Sequence, residues 1–405
     1  MRAQDWAQRT KVGSFERHAV PIALVVYSVC ALVSRGGLAT GSHPGDVHHY
    51  STFAQMIREG RIPYRDFFME YPPAALVPFL IPEIWPAHYH AVFKVTMFLF
   101  GAAIILVVAR LARPRLMALL LVAAAPLALG PVFLTRYDLW PTLIAVAALA
   151  ALLDERWALG TSLIALTVAA KLFAVALIPL AAIHIYRRGG RPALRRAVVA
   201  FIVTSLVVWG PFLILGPGGV RFSLREQLAR GLQIESFGAS VLLVADKLGL
   251  YNTHWVRGLS IDLGGRLPRA VGAASTLLEG GAILFVAWLY AARQATRTRF
   301  VAAYAASAVA FVTFGKVLSP QFVIWLVPLI AVVADPLLIG LLLAVMVTTQ
   351  LENHYGDWGL RYVNWSVWLL ALRNVLLVAL FIELLRRITR TVRREPAGIM
   401  LEKDP

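Results

Sequence analysis

The sequence predicts an all-α polytopic membrane protein, and three observations support this fold class. Hydrophobic residues make up 59% of the 405 residues and charged residues only 15%, which is unusual for a water-soluble domain. Apolar stretches long enough for membrane helices recur along the chain, and short clusters of Arg and Lys separate them. We therefore expect residues 1–405 to form one transmembrane domain.

The net charge of +17 is interpreted as a signal of membrane topology. A charge of this size often indicates a nucleic-acid partner, but here the basic residues lie mainly between apolar stretches. We expect membrane lipids as partners and no nucleic acid. The single cysteine, Cys30, lies in the first apolar stretch and cannot form an intrachain disulfide.

The order of the apolar stretches predicts about twelve membrane segments, with both termini in the cytoplasm. Basic residues precede the first apolar stretch, namely Arg2, Arg9, Lys11 and Arg17, and no small-residue cleavage site follows them, which indicates an uncleaved anchor. Other basic residues follow the last apolar stretch, namely Arg386-Arg387, Arg390 and Arg393-Arg394. The predicted segments are 19–33, 88–111, 116–134, a span that descends to Asp154-Glu155-Arg156, 157–186, 197–215, 270–290, 300–314, 322–334, 336–349 and 367–385.

The stretch 157–186 is expected to be re-entrant. It is too short for two ordinary spans, yet it connects two charged clusters that both belong in the cytoplasm, Asp154-Glu155-Arg156 and Arg187-Arg188. Two short helices that meet inside the membrane near Lys171 would keep both clusters in the cytoplasm. Irregular backbone and charge at that depth are tolerated where they line a protein cavity. A single tilted helix with Lys171 snorkelling is the alternative.

Two external loops, about 35–75 and 216–269, are too long to be simple connections. In the first, Tyr50, Phe53, Ala54 and Ile57 have helical spacing, which predicts a short amphipathic helix in the interface. Asp46 precedes this helix. Its carboxylate is either a structural N-cap or a functional group, and the sequence leaves both explanations open.

Further charged residues are predicted at the outer ends of membrane segments. They are Arg136 and Asp138 after the third span, Lys171 in the re-entrant pair, and Lys316 followed by Gln321. A cation near membrane depth is costly and by default indicates function, although snorkelling or an ion pair with Asp138 is the alternative.

These residues favour transfer of a sugar from a phosphate carried by a polyprenol in the lipid. The departing phosphate is a good leaving group, so one carboxylate suffices as the base for the acceptor hydroxyl while Lys or Arg holds the phosphate. Asp46 is the candidate base, and Lys171, Lys316, Arg65 and Arg136 are the candidate phosphate ligands. A proton-coupled transporter could use the same set of residues.

Six short motifs occur in an order that resembles a known family. They are Gly45-Asp46 with Tyr50, Pro63-Tyr64-Arg65-Asp66-Phe67 with Glu70-Tyr71-Pro72-Pro73, Arg136-Tyr137-Asp138, Lys171-Leu172-Phe173 with Pro179, Gln233-Ile234-Glu235-Ser236, and Lys316-Val317-Leu318-Ser319-Pro320-Gln321 with Trp325 and Pro328. The chain resembles the polyprenyl-phosphate-mannose-dependent mannosyltransferases of glycosyltransferase family 87, which have the C-type glycosyltransferase fold. The resemblance covers most of the chain.

The resemblance implies an inverting transfer of a sugar, mannose in that family, to a lipid-linked or cell-envelope glycan. It implies Asp46 as the base and Lys316, Lys171 and Arg65 as donor phosphate ligands, without a metal or other cofactor. Adjacent His48 and His49 do not face each other on a helix, which disfavours a metal site.

The expected substrate-binding residues are polar side chains of the same motifs and loops: His49, Tyr50, Tyr64, Glu70, Asp138, Glu235 and Gln321. We expect the active site to face outward from a bacterial cytoplasmic membrane, since the use of Arg, Ala and Leu over Lys is typical of GC-rich bacterial genomes. A transporter or flippase for lipid-linked sugars is the second hypothesis, although no inverted repeat is visible.

Overall fold

Helices account for 81% of the computed structural model. It describes residues 16, 18–34, 46–257, 260–355 and 365–390. The N-terminal basic residues up to Arg17, residues 35–45 of the first predicted loop, and Arg393-Arg394 lie outside the described residues.

The helices follow the predicted segments closely in the first half of the chain. In order, they are α1 (Ala19–Val33), α2 (Val47–Arg58), α3 (Leu76–Leu80), α4 (Tyr89–Leu111), α5 (Arg115–Leu129), α6 (Val132–Thr135), α7 (Leu139–Leu153) and α8 (Trp157–Ala170). The short helices between 73 and 88 were not predicted, because prolines interrupt the apolar pattern there.

The second half contains long helices and a small sheet. The helices are α9 (Ile178–Leu215), α10 (Pro217–Ala229), α11 (Phe237–Lys247), α12 (Arg266–Ala291), α13 (Arg297–Phe314), α14 (Val323–Val333), α15 (Pro336–Tyr355) and α16 (Ser366–Thr389). The strands are β1 (Leu232–Gln233), β2 (His254–Arg257) and β3 (Ile261–Gly264).

In the part of the chain that the structure describes, four helical segments are long and apolar enough to cross a membrane. They are Pro86–Leu111, Leu172–Leu215, Arg266–Ala291 and Ser366–Thr389. Shorter apolar helices accompany them, among them α1, α5, α7 and α8. The chain is therefore a helical membrane protein.

The core is built around α13 and α14, in which nearly every residue is buried. Helix α13 is rich in alanine, and small side chains allow neighbouring backbones to approach closely in a membrane protein. It packs against α12, α14 and α16, while α14 also contacts α5, α7 and α15. Across this core the Tyr304 hydroxyl donates to the Ala145 carbonyl at 3.0 Å.

The chain breaks its helix at Lys171, as predicted. Helix α8 ends at Ala170, Lys171 is extended with φ −158° and ψ 130°, and a 3₁₀ helix, Leu172–Leu177, leads into α9. The alternative of one continuous tilted helix is therefore wrong.

Helix α9 joins the end of the predicted re-entrant pair to the next predicted span. Its backbone breaks at Gly190, where φ is +68° and ψ −171°, a conformation that glycine adopts without steric cost. Beyond this break the apolar side chains are exposed, including Val199, Leu206 and Val207. A lipid environment would cover them.

Residues 216–269, predicted as the second external loop and named the second external segment after that prediction, are more ordered than a polar loop. It contains α10, α11 and an antiparallel sheet of order β1-β3-β2. Leu232, Leu243 and Leu263 form a small core with Val367 and Leu370 at the start of α16. The all-α prediction missed the strands because two to four residues are too short for an alternating pattern to be recognised.

Candidate active site

Asp46 forms an ion pair with Arg136, which lies 90 positions later in the chain. Asp46 is the residue before α2, but its side chain makes no capping hydrogen bond to that helix. The Tyr50 hydroxyl, one turn further along, donates to Asp46 Oδ2 at 3.4 Å. The carboxylate is thus turned toward the protein's cations, and the purely structural N-cap explanation does not describe this geometry.

A second ion pair lies beside the first. Lys171 Nζ is 3.1 Å from Asp138 Oδ1, and the indole Nε1 of Trp325 donates to the same oxygen at 2.8 Å. The Asp138 side chain is 1% exposed, so its position fits a residue that holds Lys171 and Trp325. This contact matches the ion-pair alternative for Lys171, while the substrate contact expected of Asp138 stays a prediction.

Aromatic rings surround the ammonium group of Lys171. Its Nζ lies 4.4 Å from the ring centroid of Tyr137, 5.6 Å from Trp325 and 5.7 Å from Phe322. These distances are within the range of cation–π contacts. Because Phe322 belongs to the turn that follows Lys316, Lys171 and the 316–322 segment lie at the same end of the helices.

A cluster of aromatic side chains connects the two ion pairs. Tyr50 stacks on Phe79 with ring centroids 4.3 Å apart and meets Tyr137 edge-on at 5.6 Å. Tyr71 lies against Tyr137 at 5.3 Å. Such packed rings restrict the motion of neighbouring side chains, so the cluster fixes Asp46 relative to Lys171.

The segment that carries Tyr64 and Glu70 is held in place by hydrogen bonds within the segment and from α10. Tyr64 has a positive φ of 66°, and its hydroxyl donates to the Tyr71 carbonyl at 2.5 Å. Gln227 of α10 donates to the Glu70 carbonyl at 3.0 Å. The Glu70 carboxylate lies within electrostatic range of Lys171.

Arg65 lies apart from these residues. Its side chain is 48% exposed and makes two hydrogen bonds to Asp66, at 2.8 and 2.9 Å. The hydrogen bonds from Arg65 lower the pKa of Asp66 to about 2. Among the described residues, no hydrogen bond or ion pair joins Arg65 to Asp46.

Lys316 is bound to the second external segment. Its Nζ donates to the Leu228 carbonyl at 2.8 Å, and its own carbonyl accepts from the Gln233 amide at 3.0 Å. Gln321 lies in the following 3₁₀ turn, Pro320–Phe322. Lys316 therefore stands on the same face as Lys171, and among the described residues no hydrogen bond or ion pair joins it to Asp46.

A comparison with protein families decides the class of this protein. The family model of glycosyltransferase family 87 matches residues 68–320, which is more than half of the chain. The chain belongs to glycosyltransferase family 87. No curated protein matches it. The family match includes Arg136, Asp138, Lys171, Glu235 and Lys316, whereas Asp46 precedes it.

The glycosyltransferase also contains a buried polar network that the sequence reasoning missed. Arg373, which is fully buried, lies 3.5 Å from Glu352 and donates to the carbonyl of Glu235. Asn374 donates to the same carbonyl at 3.3 Å. The sequence did contain a signal for this network, because Arg373 is a charged residue inside a predicted span. Ionisable residues in membrane helices usually have buried partners.

Glu235 connects this network to the candidate active site of the glycosyltransferase. Its carboxylate is buried and lies within electrostatic range of Arg136. Burial raises the pKa of the Glu235 carboxyl well above its usual range. Its Oε2 atom makes no hydrogen bond in the described structure.

Histidine ligation of a metal has no geometric support at the start of α2. His48 and His49 are both exposed, and their ring centroids are 6.3 Å apart. The described part of the glycosyltransferase contains no group of three His, Cys, Asp or Glu side chains that could hold a metal ion.

Proposed function

We propose that this family 87 glycosyltransferase transfers a sugar, mannose, from a polyprenyl-phosphate carrier to a lipid-linked or cell-envelope glycan. The observation that carries the proposal is the clustering of one carboxylate, Asp46, with the cations Arg136 and Lys171 at one end of the membrane helices. Family membership favours a transferase over the transporter hypothesis. We place the reaction at the outer face of a bacterial cytoplasmic membrane.

Asp46 is proposed as the general base. In the reaction, the acceptor hydroxyl oxygen attacks C1 of the sugar on the face opposite the phosphate, and the C1–O bond breaks with its electron pair passing to the phosphate. Asp46 takes the hydroxyl proton and later releases it to water. The configuration at C1 is inverted, and general base catalysis typically contributes about 10²–10⁴-fold to the rate.

Arg136 and Lys171 are proposed to stabilise the departing phosphate, with Lys316 on the side of the second external segment. Preorganised cations in a water-poor site stabilise developing negative charge without reorganisation cost. Arg65 remains the candidate for contact with the phosphate from the aqueous side. Of the other candidates, we propose that His49, Glu70 and Gln321 contact the sugars, while Tyr50 and Tyr64 shape the site.

The test is a transfer assay with purified protein in nanodiscs, a polyprenyl-phosphate mannose and a mannolipid acceptor. Wild-type protein should form a new α-linked product. Asp46→Asn should lower turnover by about 10² or more, since it removes the base, while donor binding stays within a few-fold of wild type.

Glu155→Gln is the control, because Glu155 is an exposed carboxylate at the opposite end of the helices, where it pairs with Arg188. Its activity should be close to that of wild type. Full activity of Asp46→Asn would remove Asp46 from the mechanism, and absence of product with the wild type would contradict the proposed substrates.

A further inference from the structure

A polar groove runs along the side of α2 that faces the start of α4. Ser51, Gln55 and Arg58 of α2 line one wall, and the other wall is formed by Glu83 and residues 86–91. The space measures about 460 Å³, which lies within the range of small-molecule sites. None of these lining residues belongs to the Asp46–Arg136 or Lys171–Asp138 pairs.

The groove presents both hydrogen-bond donors and acceptors. Gln55 offers an amide oxygen, while its amide nitrogen already donates to Glu59 at 2.9 Å. Arg58 offers a guanidinium, and His88 and His90 offer imidazoles. Such a mixture matches a ligand whose groups each donate and accept, as sugar hydroxyls do. An anionic ligand would instead fit a lining of donors alone, which the carboxylate of Glu83 contradicts.

Glu83 gives an independent indication of a ligand. Its Oε2 atom is shielded from solvent and makes no hydrogen bond in the described structure. The nearest cation, Arg58 Nε, lies 3.5 Å from this oxygen, which is at the far limit of a hydrogen bond. Buried acceptors are almost always paired, so a hydroxyl of a bound ligand would complete this site.

An aromatic side chain lies beside the groove. Trp85, between Glu83 and the 86–91 wall, is 57% exposed, and its ring contacts His88 with centroids 4.3 Å apart. The flat face of an indole is apolar, and the C–H face of a pyranose ring packs on such a surface. Trp85 and the planar groups of the groove together fit a carbohydrate.

The groove also has the right position for an acceptor. At 1.5 Å per residue, Ser51 lies about 8 Å and Arg58 about 18 Å along α2 from Asp46. The apolar segment Pro86–Leu111 begins at the groove, so the groove stands at the edge of the membrane. Because an α-helix turns by about 100° per residue, Ser51 is rotated about 140° and Gln55 about 180° around α2 from Asp46. A glycan with one hydroxyl at Asp46 would therefore pass around α2 to reach the groove while its lipid remained in the bilayer.

We propose that this groove binds the glycan headgroup of the acceptor, beyond the sugar that receives the transfer. The inference rests on the proposed function, which supplies Asp46 as the point of transfer. It assigns acceptor recognition to Gln55, Glu83 and His90, and donor recognition to the separate cationic residues.

The probe is α-linked mannotriose, added without donor to the full-length protein in nanodiscs and followed by ligand-observed NMR. Gln55→Ala and Glu83→Ala should each weaken binding about tenfold, as loss of a central contact does. Two variants are used because Glu83→Ala also removes the partner of Arg58. Gln294→Ala is the control, an exposed glutamine at the opposite end of the molecule, and it should bind like wild type.

The transfer assay separates acceptor from donor recognition. The groove variants should raise the KM for the mannolipid and leave the KM for the polyprenyl-phosphate donor unchanged. Unchanged mannotriose binding in both groove variants, or equal weakening by Gln294→Ala, would overturn the inference. So would a raised mannolipid KM without weaker mannotriose binding, because the groove would then hold a lipid headgroup of another kind.

Failure of the proposed function gives a different pattern. If no transfer product forms but mannotriose binding still depends on Gln55 and Glu83, the groove is supported as a glycan site and the proposed reaction is wrong.

Discussion

Arg136 interacts with several of the charged residues of the candidate site. It pairs with Asp46 and lies in electrostatic range of Asp138 and Glu235. Its buried Nε atom makes no hydrogen bond in the described structure. A phosphate could accept from this donor, and the planar guanidinium offers paired donors in the geometry that phosphate prefers.

We predict that Arg136→Lys raises the KM for the donor by about tenfold or more, because lysine keeps the charge but loses the fork of donors. The KM is measured with the polyprenyl-phosphate donor at saturating acceptor. Arg61→Lys is the control, since Arg61 is exposed and only 3.7 Å from Glu59. An unchanged donor KM in Arg136→Lys would mean that a point charge suffices at this position.

Glu235 makes the stability of the protein depend on pH. Burial raises the pKa of its carboxyl well above the ordinary value of 4.5. Above that ordinary value the folded state therefore holds a proton that the unfolded state has lost. The free energy of unfolding then falls with rising pH, by up to about 1.4 kcal/mol per unit, until the folded-state pKa is reached.

We expect Glu235→Gln to remove this part of the pH dependence, because glutamine resembles the protonated acid and cannot ionise. Thermal unfolding in nanodiscs between about pH 5 and about pH 8 measures it. The wild type should lose more stability than Glu235→Gln over this interval. Glu226→Gln controls for loss of a carboxylate in the same segment, and parallel curves for wild type and Glu235→Gln would contradict the prediction.

At the scale of elements, helix α10 is held against the segment around Tyr64 by close backbone contact. A Cβ atom added to Gly219 would clash with the carbonyl of Tyr64, whereas one added to Gly218 would meet nothing within 4 Å. Tyr64 in turn packs on Phe212 of α9 with ring centroids 5.4 Å apart. Alanine substitutions at these two neighbouring glycines therefore separate the effect of tight packing on stability from the effect of helix propensity.

We predict that Gly219→Ala destabilises the protein by about 1–3 kcal/mol, as overpacking does. Gly218→Ala should be neutral or stabilise by up to about 1 kcal/mol, because alanine is the better helix former. Thermal unfolding of both variants in nanodiscs gives the comparison. Equal stability of the two variants would show that the backbone around Tyr64 can move away from the added methyl group without loss of stability.

The elements that the sequence predicted well are those with a strong signal of their own. Helix α1 was predicted at its observed limits, and the break at Lys171 followed from two charged clusters that belong on one side of the membrane. The strands of the second external segment gave no such signal, since two to four residues carry little periodicity. Their positions depend on packing against α11 and α16.

The candidate site was predictable as a set of residue types and not as a geometry. Asp46, Arg136 and Lys171 were all candidates, because charges at the ends of apolar segments are conspicuous. Which cation pairs with which carboxylate depends on tertiary contacts between residues far apart in the chain, such as the bond from Trp325 to Asp138. The separation of Arg65 from this cluster could not be predicted from its position in a motif.

At the scale of the whole molecule, two separate groups of charged residues lie at the two ends of the helices. One end carries the ion pairs Arg110–Asp154 and Arg188–Glu155 and the bond from Arg299 to the Arg390 carbonyl. The other end carries Asp46, Arg136 and Lys171. Helix α8, which begins beside Glu155 and ends at Lys171, places the two ends about 20 Å apart along its length.

The bias of Arg and Lys toward the cytoplasm predicts that the end with Asp46, Arg136 and Lys171 faces outward. We predict that a cysteine at Asn252, exposed in the second external segment, reacts with a membrane-impermeant maleimide in intact cells. A cysteine at Gln294, exposed beside Arg293, should react only after permeabilisation. Both are made in a Cys30→Ser background, since Cys30 is the only native thiol.

The outcome decides where the sugar donor must be presented. Labelling of Asn252→Cys in intact cells puts Asp46 and Lys171 on the outer side, where a polyprenyl carrier has to be flipped before its sugar is used. The reverse pattern would place the same cluster in the cytoplasm, where soluble nucleotide sugars compete as donors. Outward orientation would therefore favour the proposed lipid-anchored phosphate sugar as the donor, because its phosphate would lie where these charged residues meet the edge of the bilayer.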